Sequence, residues 1–519
     1  MLKYNIIPKP NRYQTLDGSY TVSSGTEVLC SKEFVRAGNF ITDYLKTKPQ
    51  SGESTIKFRK VDGMSPESYT LKVTGEGIVA AASDERGAFY AAVTLKMILM
   101  QAQKQGGKAT VNGLFIEDKP HYGYRGLQMD ESRHFFGKEV VKRVIDQMAM
   151  LKLNTLHWHL SDDQGYRIES KLFPKLNSVA SRRKYAGLKG CGMENRGEEY
   201  FYYYTQDEIR EVVAYAKSLC IDVIPEIDIP GHTSAILAAY PEYSCHGKAT
   251  EVKCESGIFE EILCAGDKAV YEFLDKLFSE LCPLFDGKYF HIGGDEAAKG
   301  HKIWDTCPKC QAVVKENNLQ DSKELQGYFM SRVNEMIKKY GKTAIAWNDC
   351  INDSFDESIV CQYWISHNLG TVRKQAFKRD MIMSPDSHFY FDVKYAHIPL
   401  KKVYKFNEVK AGFGKPGQRI RGIECEHWAE WLDTEDALQF AMFPRAVAFS
   451  EVAWTELENR RYKDFKKRLA WYKTYMQKKG INYSRVEKRV WGVKPLPIYH
   501  LGKDGQEYQK SEALKAKEK

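Results

Sequence analysis

The 519-residue sequence has no run of apolar residues long enough to span a membrane as a helix. It lacks a P-loop pattern, so phosphate-transfer chemistry has no support. Its net charge of +9 is modest for this length, and its lysines are scattered, with a small excess near the last residues. We therefore expect neither a membrane nor a nucleic acid as a partner.

The cysteines are not concentrated in one region. Twelve cysteines are spread along the chain, whereas a disulfide-framed small domain would cluster them, so we expect most to be reduced and buried. Cys307 and Cys310 form one CxxC pair near His301. Zinc usually needs a second ligand pair at matching spacing, so this pair alone does not predict a metal centre.

The first residues, MLKYNIIPKPNRYQ, contain neither the apolar core nor the small-residue cleavage site of a secretory signal. We expect a cytoplasmic protein unless a signal was removed, in which case the protein is periplasmic or secreted. The sequence leaves the oligomeric state open, with a homodimer among the options.

Residues 1–118 are predicted to form a small α+β domain. TIKFRKV and SYTLKVTGEGIVAAAS have the composition of strands, and the second contains a glycine-flanked turn at Glu76. An amphipathic helix over one face of the sheet is predicted from apolar residues at helical spacing, namely Phe89, Val93, Met97 and Met100. No catalytic pattern occurs in this domain.

Residues 119–480 alternate short apolar runs with longer amphipathic segments, which is the pattern of repeated βα units. Eight strand candidates can be counted: YRGLQMDES, NTLHWHLSD, IDVIPEIDI, KYFHIGGDE, TAIAWND, SIVCQYWI, DMIMSPDS and GIECEHWAE. The predicted fold class is therefore α/β, a (β/α)8 TIM barrel preceded by the small α+β domain. Residues 481–519 are predicted to be a C-terminal tail.

Asp295 and Glu296 stand side by side after two glycines, in the string KYFHIGGDEAAKGHKIW. Neighbouring side chains on a regular strand point to opposite faces, so both can reach one site only if the backbone turns sharply. Gly293 and Gly294 tolerate the positive φ values that such a turn needs. The simpler alternative is a strand followed by a solvent-exposed acidic turn, and the surrounding residues must decide.

Polar and aromatic residues follow the predicted barrel strands at their carboxyl ends, where barrel enzymes place their sites. In strand order they are Asp130 and Arg133, Asp162 and Asp163, Asp228 and His232, Asp295 and Glu296, Trp347, Trp364, Tyr390 and Asp392, and Trp428 and Glu430. Carboxylates beside several aromatic rings suit a sugar, whose CH faces stack on rings while its hydroxyls bind charged groups. The pattern indicates a carbohydrate-active enzyme.

Two other classes of protein fit part of this pattern. His157 and His159 lie two apart on a strand, hence on one face, and could hold zinc in a metal-dependent amidohydrolase together with His232, His291 and Asp295. Histidines on barrel strands also serve as hydrogen-bond partners, which weakens that alternative. A sugar-binding protein without activity would keep the aromatic residues but has no need for an adjacent acid pair.

Six strings resemble, in order, those of the glycoside hydrolase family 20 β-N-acetylhexosaminidases. They are RGLQMDESRHF (125–135), HWHLSDDQGYR (157–167), PEIDIPGH (225–232), HIGGDE (291–296), YFD (390–392) and WAE (428–430). HIGGDE is highly specific, and the N-terminal domain is similar to the family's small domain. Two positions depart from the family: Tyr166 stands where it often has Trp, and Asp349 follows Trp347 where Glu is frequent.

The resemblance implies an exo-acting enzyme that removes terminal β-linked GlcNAc or GalNAc with retention, using the substrate's own acetamide as nucleophile. By carry-over, Glu296 is the acid and base, and Asp295 holds the acetamido N–H. Tyr390 donates to the acetamide oxygen, while a relay formed by Asp162 and His232 tunes Glu296. The pocket walls are Trp347, Trp364 and Trp428, and the groups that bind ring hydroxyls are Arg133, Asp392 and Glu430.

The resemblance requires no metal and no organic cofactor. Two simpler roles remain open from the residues alone, since Arg133 could merely neutralise Asp130 and Asp162 could cap a helix. The sequence does not distinguish a chitin fragment, an N-glycan, a mucin glycan or a glycolipid as the natural substrate. It also leaves the preference between GlcNAc and GalNAc open.

Overall fold

The structure, a computed structural model, describes residues 3–46, 54–192, 197–352 and 355–486. Within these ranges no helix is both long enough and apolar enough to cross a membrane. Most of the predicted C-terminal tail, from residue 487 onward, lies outside the described residues.

The N-terminal domain is a mixed seven-stranded sheet in the order β1-β7-β4-β5-β3-β2, with β6 paired to β7. Its strands are Arg12–Val22 (β1), Glu27–Cys30 (β2), Thr55–Lys60 (β3), Tyr69–Thr74 (β4), Gly77–Ala82 (β5), Gln103–Gln105 (β6) and Lys108–Asp118 (β7). Its α-helices are Val35–Leu45 (α1) and Glu85–Gln101 (α2). The predicted turn joins β4 to β5 as an antiparallel hairpin, and the predicted amphipathic helix is α2.

The next part of the chain forms a closed barrel of eight parallel strands. They are Tyr124–Asp130 (β8), Thr155–His159 (β9), Asp222–Glu226 (β14), Tyr289–His291 (β15), Thr343–Trp347 (β16), Val360–Tyr363 (β17), Met381–Met383 (β18) and Ile420–Cys425 (β19). The short strands between β9 and β14 are Ser161–Asp162 (β10), Gly165–Tyr166 (β11), Arg182–Arg183 (β12) and Tyr200–Phe201 (β13). Every strand candidate of the sequence lies on its barrel strand, so the predicted fold class is confirmed.

Helices between and after the strands cover the barrel. They are Lys138–Met150 (α3), Gln206–Ser218 (α4), Ser234–Ala239 (α5), Lys268–Leu281 (α6), Ala298–Thr306 (α7), Pro308–Glu316 (α8), Ser322–Lys339 (α9), Leu369–Gln375 (α10), Asp386–Phe389 (α11), Leu400–Tyr404 (α12), Glu435–Met442 (α13), Arg445–Trp454 (α14) and Tyr462–Lys478 (α15). Helix α4 begins with a capping box, in which the Thr205 side chain accepts from the Glu208 N–H and the Glu208 carboxylate accepts from the Thr205 N–H.

A buried charged network joins the two domains. The Lys152 ammonium, which follows α3, lies 3.4 Å from Asp118 at the end of β7, and both side chains are fully buried. Tyr69 donates to the same carboxylate at 2.8 Å, and the indole N–H of Trp454 donates to it at 2.9 Å. Because a buried charge is costly unless it is paired and hydrogen-bonded, this network favours one arrangement of the small domain on the barrel.

The string GFGKPG at 412–417 matches the letters of a dinucleotide-binding pattern. It lies in the loop between α12 and β19, so it neither follows a strand nor opens a helix. The pattern needs a strand, a tight turn and a helix N-terminus to hold a pyrophosphate. This loop therefore carries no dinucleotide site.

Candidate active site

The acid pair lies just after β15, where the backbone turns away from the strand. Gly293 and Gly294 have φ of +64° and +101°, and Glu296 itself has φ of +50°. A Cβ at Gly293 would lie 1.7 Å from the Asp228 carboxylate, so this position must be glycine. The predicted glycine turn is confirmed, and a left-handed Glu296 is a strained conformation of the kind that functional sites retain.

Both acids reach the same histidine. His232 Nε2 lies 3.6 Å from Asp295 Oδ2 and 3.4 Å from Glu296 Oε2. The Asp295 side chain is 12% exposed, whereas that of Glu296 is 28% exposed. The alternative of a solvent-exposed acidic turn is therefore wrong for Asp295, and the two side chains share one site although they are adjacent in sequence.

Asp295 has an unusual electrostatic environment. Burial, followed by the neighbouring charges of Asp349 and Glu296, raises its pKa to about 7, although the His232 side chain acts in the opposite direction. Oδ1 of Asp295 is buried and has no hydrogen-bond partner among the described residues. A buried, unpaired carboxylate oxygen is costly and is suited to accept a hydrogen bond from a ligand.

His232 connects the acid pair to two further carboxylates. Its Nδ1 lies 3.2 Å from Asp162 Oδ1 and 3.1 Å from Asp163 Oδ2. Burial lowers the pKa of His232, but Asp162, Asp163 and Asp295 more than offset this and raise it well above its ordinary value. The predicted arrangement of Asp162, His232 and Glu296 in series is present.

Asp162 is held by cations on several sides. Arg133 Nη2 lies 2.7 Å from its Oδ2, and His159 Nε2 lies 2.9 Å from the same oxygen. Burial raises the pKa of Asp162, but Arg133 and then His232 outweigh it and hold that pKa below the ordinary range. Asp162 lies in β10 and not at a helix start, so the helix-cap alternative is wrong.

The four aromatic side chains predicted for the pocket lie together. The rings of Trp364 and Tyr390 stack with centroids 5.8 Å apart, and Trp428 lies 6.3 Å from Tyr390 and 5.9 Å from Trp347. Burial raises the pKa of Tyr390 well above its ordinary value, so its hydroxyl stays protonated as a donor. Residues from β16 to β19 and the loops after them therefore build one aromatic box.

The three groups predicted to bind ring hydroxyls lie in the buried part of the site. Arg133 contacts Asp130 at 3.2 Å and Glu430 at 3.9 Å, and its guanidinium lies 5.2 Å from the Trp428 ring centroid. Arg133 thus neutralises Asp130, as the simpler alternative holds, but it also contacts the site. Two more buried oxygens without a partner among the described residues are Asp392 Oδ1 and Glu430 Oε2.

A carboxylate that the sequence analysis did not single out lies at the centre of the barrel. Glu226, the last residue of β14, lies 3.0 Å from His157, contacts His159 and lies 2.8 Å from His291, and it accepts from the indole N–H of Trp347 at 2.9 Å. Its position two residues before Asp228 in PEIDIPGH was the available signal. Glu226 fixes the rings that lie beneath the pocket.

The two histidines of the zinc alternative, His157 and His159, lie against carboxylates. His157 faces Glu424 at 2.8 Å and Glu226 at 3.0 Å, and His159 faces Glu226 and Asp162. Both ring nitrogens of His159 and Nδ1 of His157 are hydrogen-bonded to carboxylates, whereas Nε2 of His157 lies 3.0 Å from Glu226 without a hydrogen bond. The pair occupies one face, as predicted, but serves as hydrogen-bond support for the site.

Asp349 also contributes to the site. Its Oδ2 accepts from the indole N–H of Trp364 at 2.5 Å, and its charge helps raise the pKa of Asp295. The sequence analysis noted it only as a departure from the family pattern. The shorter side chain still reaches the Trp364 indole.

A closed parallel barrel with paired carboxylates beside an aromatic box at its carboxyl end is an arrangement that suits a glycoside hydrolase. Comparison with known families agrees: the catalytic domain of glycosyl hydrolase family 20 matches residues 122–457, and domain 2 of that family matches residues 3–119. The chain belongs to glycosyl hydrolase family 20.

Three relatives show how similar the chain is to known proteins. A beta-hexosaminidase of Porphyromonas gingivalis is 32% identical over 92% of this chain, which spans 64% of that protein. The exo beta-N-acetylglucosaminidase of Vibrio harveyi, solved with N-acetylglucosamine, is 28% identical with a TM-score of 0.83 over 93% of this chain and 78% of the other. A mutant Streptomyces plicatus beta-hexosaminidase, solved with its product GlcNAc, is 30% identical with a TM-score of 0.79 over 94% and 97% of the two chains.

Proposed function

We propose that this chain is an exo-acting β-N-acetylhexosaminidase that removes terminal, non-reducing β-linked GlcNAc or GalNAc from oligosaccharides or glycoconjugates. The observation that carries the proposal is the acid pair: Asp295 and Glu296 face one histidine, and Asp295 keeps a buried oxygen without a partner among the described residues. An adjacent pair of acids in such different surroundings suits two separate tasks on one substrate.

In the first step, Glu296 donates its proton to the glycosidic oxygen while the acetamide oxygen of the sugar attacks the anomeric carbon. The bond from that carbon to the leaving group breaks, and a bicyclic oxazolinium ion forms. Asp295 accepts a hydrogen bond from the acetamido N–H and balances the positive charge that develops there. Tyr390, kept protonated by its raised pKa, donates to the acetamide oxygen and orients it.

In the second step, Glu296, now ionised, takes a proton from water as the water attacks the anomeric carbon. The oxazolinium ring opens, the acetamide is restored, and the product leaves with the same anomeric configuration. His232 Nε2 lies 3.4 Å from Glu296 Oε2, and its Nδ1 lies near Asp162 and Asp163. The position of this imidazole therefore affects how readily Glu296 gains or loses its proton.

The aromatic box would hold the sugar against Trp428 and enclose the acetamide between Trp347, Trp364 and Tyr390. Arg133, Asp392 and Glu430 would bind the ring hydroxyls, since two of these groups present buried oxygens that lack a partner among the described residues. A box of this kind would suit one terminal sugar, as an exo mode of action requires. The Vibrio and Streptomyces relatives were solved with GlcNAc, which supports this class of substrate.

Hydrolysis of a panel of p-nitrophenyl glycosides tests the proposal. We expect the β-GlcNAc and β-GalNAc glycosides to be cleaved and the β-glucoside to react at least about a hundredfold more slowly, because it lacks the nucleophile. The lacto-N-biose glycoside checks that cleavage is confined to a single terminal sugar. Comparable turnover of the plain glucoside would contradict the substrate-assisted mechanism.

The amidohydrolase alternative makes a different product from the same sugar. A deacetylase would release acetate from free GlcNAc, whereas the proposed enzyme leaves the acetamide intact after each turnover. Acetate release measured beside nitrophenol release therefore distinguishes the two without relying on a chelator. Stoichiometric acetate from free GlcNAc would overturn the proposed function.

A further inference from the structure

Four cysteine thiols meet at one point outside the active site. Cys307 and Cys310 provide the CxxC pair, and the fold adds Cys245 and Cys264 from a different loop. The four sulfur atoms all lie within 4.8 Å of one another, and three of them are fully or almost fully buried. His301, the neighbour that the sequence suggested, directs its Nε2 to Gln326 at 3.0 Å.

The distances between these sulfurs fit a tetrahedral metal ion. Cys264 Sγ lies 3.7 Å from Cys310 and 3.8 Å from Cys307, and Cys245 lies 3.8 Å from Cys310. A zinc ion bound by four thiolates at about 2.3 Å places neighbouring sulfurs about 3.8 Å apart, because a tetrahedron's edge is about 1.63 times its centre-to-corner length. A disulfide would need about 2.05 Å, and the four cysteines are free.

The backbone around the cluster is fitted to this close approach. A Cβ at Gly266 would lie 2.2 Å from the carbonyl carbon of Lys309, so only glycine lets the Cys264 loop come so near the CxxC turn. Pro308 opens α8 directly after Cys307, which fixes the direction of the turn between the two sulfurs.

We propose that Cys245, Cys264, Cys307 and Cys310 bind one structural zinc ion. Zn²⁺ keeps its oxidation state on binding, and each thiol that is still protonated gives its proton to solvent as its sulfur becomes a ligand. Four protein ligands close the coordination sphere, so the ion takes no water or substrate and has no step in glycoside hydrolysis.

The position of the cluster shows what the ion would hold together. Cys245 and Cys264 belong to the long connection after β14, which also carries His232, and the Leu263 N–H donates to the Pro230 carbonyl at 3.1 Å. Cys307 directly follows α7, the helix that begins two residues after Glu296. The ion would thus clamp the loop of the relay histidine to the loop of the catalytic acid.

Metal analysis of the tag-free protein is the direct test. We expect about one zinc per chain as purified, released in full when a mercurial reagent titrates the thiols. Exchange with Co²⁺ should give the intense visible absorption of a tetrahedral cobalt thiolate site. Less than a tenth of an equivalent of metal with no cobalt spectrum would overturn the proposal, as would disulfide-linked peptides from these cysteines or stoichiometric iron in place of zinc.

Two cluster variants and a control separate a metal site from general packing. Cys264→Ser and Cys245→Ser, the second at a partly buried position, should each reduce the amount of zinc bound per chain at least tenfold. Each should also lower Tm by about 5 °C or more. Cys361→Ser, at a position that is as buried as Cys264 but lies on β17 outside the cluster, should keep the zinc content of the unaltered protein.

If Cys264→Ser does not fold, Cys245→Ser and the cobalt spectrum of the unaltered protein still decide. Equal zinc content in Cys245→Ser and Cys361→Ser would contradict the assignment. This inference does not depend on the proposed glycosidase activity.

Discussion

The two ends of the barrel interior are built from the same strands but carry opposite chemistry. Toward the amino ends of the strands, Ile224 of β14 and Ile345 of β16 lie in a buried apolar cluster with Tyr124, Val360 and Ile382 of other strands. Two positions further toward the carboxyl ends, on the same face of each strand, stand Glu226 and Trp347, which are hydrogen-bonded to each other.

This difference separates stability from function. The apolar layer needs nothing from solvent or ligand, whereas the carboxyl end holds buried carboxyl groups with an oxygen that has no partner among the described residues, as at Asp295, Asp392 and Glu430. Barrel enzymes are expected to keep their chemistry at this end and their packing at the other. Substitutions at the carboxyl end should therefore lower activity, whereas substitutions in the apolar layer should lower stability.

The largest effect is expected from Glu296→Gln at the polar end. The amide keeps the shape but cannot donate the proton, so hydrolysis of a β-1,4-linked GlcNAc disaccharide, whose leaving group is poor, should fall about 100- to 10,000-fold. Steady-state rates on the disaccharide measure this. Retention of more than a tenth of the rate would mean that another group is the acid.

Asp295→Asn should follow, with a loss of about a hundredfold or more on the same substrate and on activated aryl glycosides alike. The substitution keeps the size but removes the charge that orients and stabilises the acetamido group. Because this loss comes from ring closure, an unchanged rate with an activated leaving group would contradict the assigned role.

Two tyrosines allow the comparison between the ends to be made with one chemical change. Tyr390→Phe removes the proposed donor to the acetamide and should lower kcat/KM about 10- to 100-fold with little change in Tm. Tyr124→Phe removes a hydroxyl bonded to Glu424 in the barrel interior and should leave kcat/KM within about twofold. Equal losses of activity in both variants would remove the distinction between the two ends.

Ile345→Ala tests the comparison in the apolar layer. Truncation of this fully buried side chain should lower the free energy of unfolding by ~2–5 kcal/mol through lost contacts and a cavity. The kcat of the folded fraction should stay within about twofold. Denaturant unfolding and steady-state kinetics on one preparation give both values.

The smallest effect concerns stability and pH. The pKa of Asp295 is raised from 3.8 to about 7 by burial and neighbouring carboxylates, so its ionisation destabilises the fold progressively over that interval and fully above it. Asp295→Asn removes this cost, and its Tm relative to the unaltered protein should rise by ~2 °C or more near pH 8 but by almost nothing near pH 4.

Asp162→Asn is the matched control, because the pKa of Asp162 is lowered. Its ionised form stabilises the fold above the unfolded pKa, and that stability is lost as the pH falls through the folded pKa. This variant should therefore lower Tm near pH 8. A fall in Tm for both variants at that pH would show that Asp295 is not held at a cost.

The sequence predicted those features that depend on neighbouring residues or on a repeated pattern. The barrel strands and the glycine turn before Asp295 are local features, and the polar and aromatic residues at the carboxyl ends of the strands follow once the strands are known. Glu226 and the cysteine cluster were missed because their meaning lies in contacts between distant segments. Cys245 and Cys310 are 65 positions apart, and only folding brings their sulfurs together.

The role of Asp349 was missed for a related reason. Its effect on Asp295 is a Coulomb interaction across two loops, which depends on burial and separation that no motif records. The opposite pKa directions of Asp162 and Asp295 have the same origin, since Arg133 lies beside Asp162 whereas carboxylates surround Asp295.

The central claim is that the adjacent acids divide proton transfer from nucleophile orientation. Its most direct test is the rate of both variants against the pKa of the leaving group, across a series of aryl β-GlcNAc glycosides. Glu296→Gln should depend steeply on the leaving group, because departure is no longer assisted by a proton, while Asp295→Asn should be slow throughout with a shallower slope. A steeper dependence in Asp295→Asn than in Glu296→Gln would reverse the two roles and contradict the account.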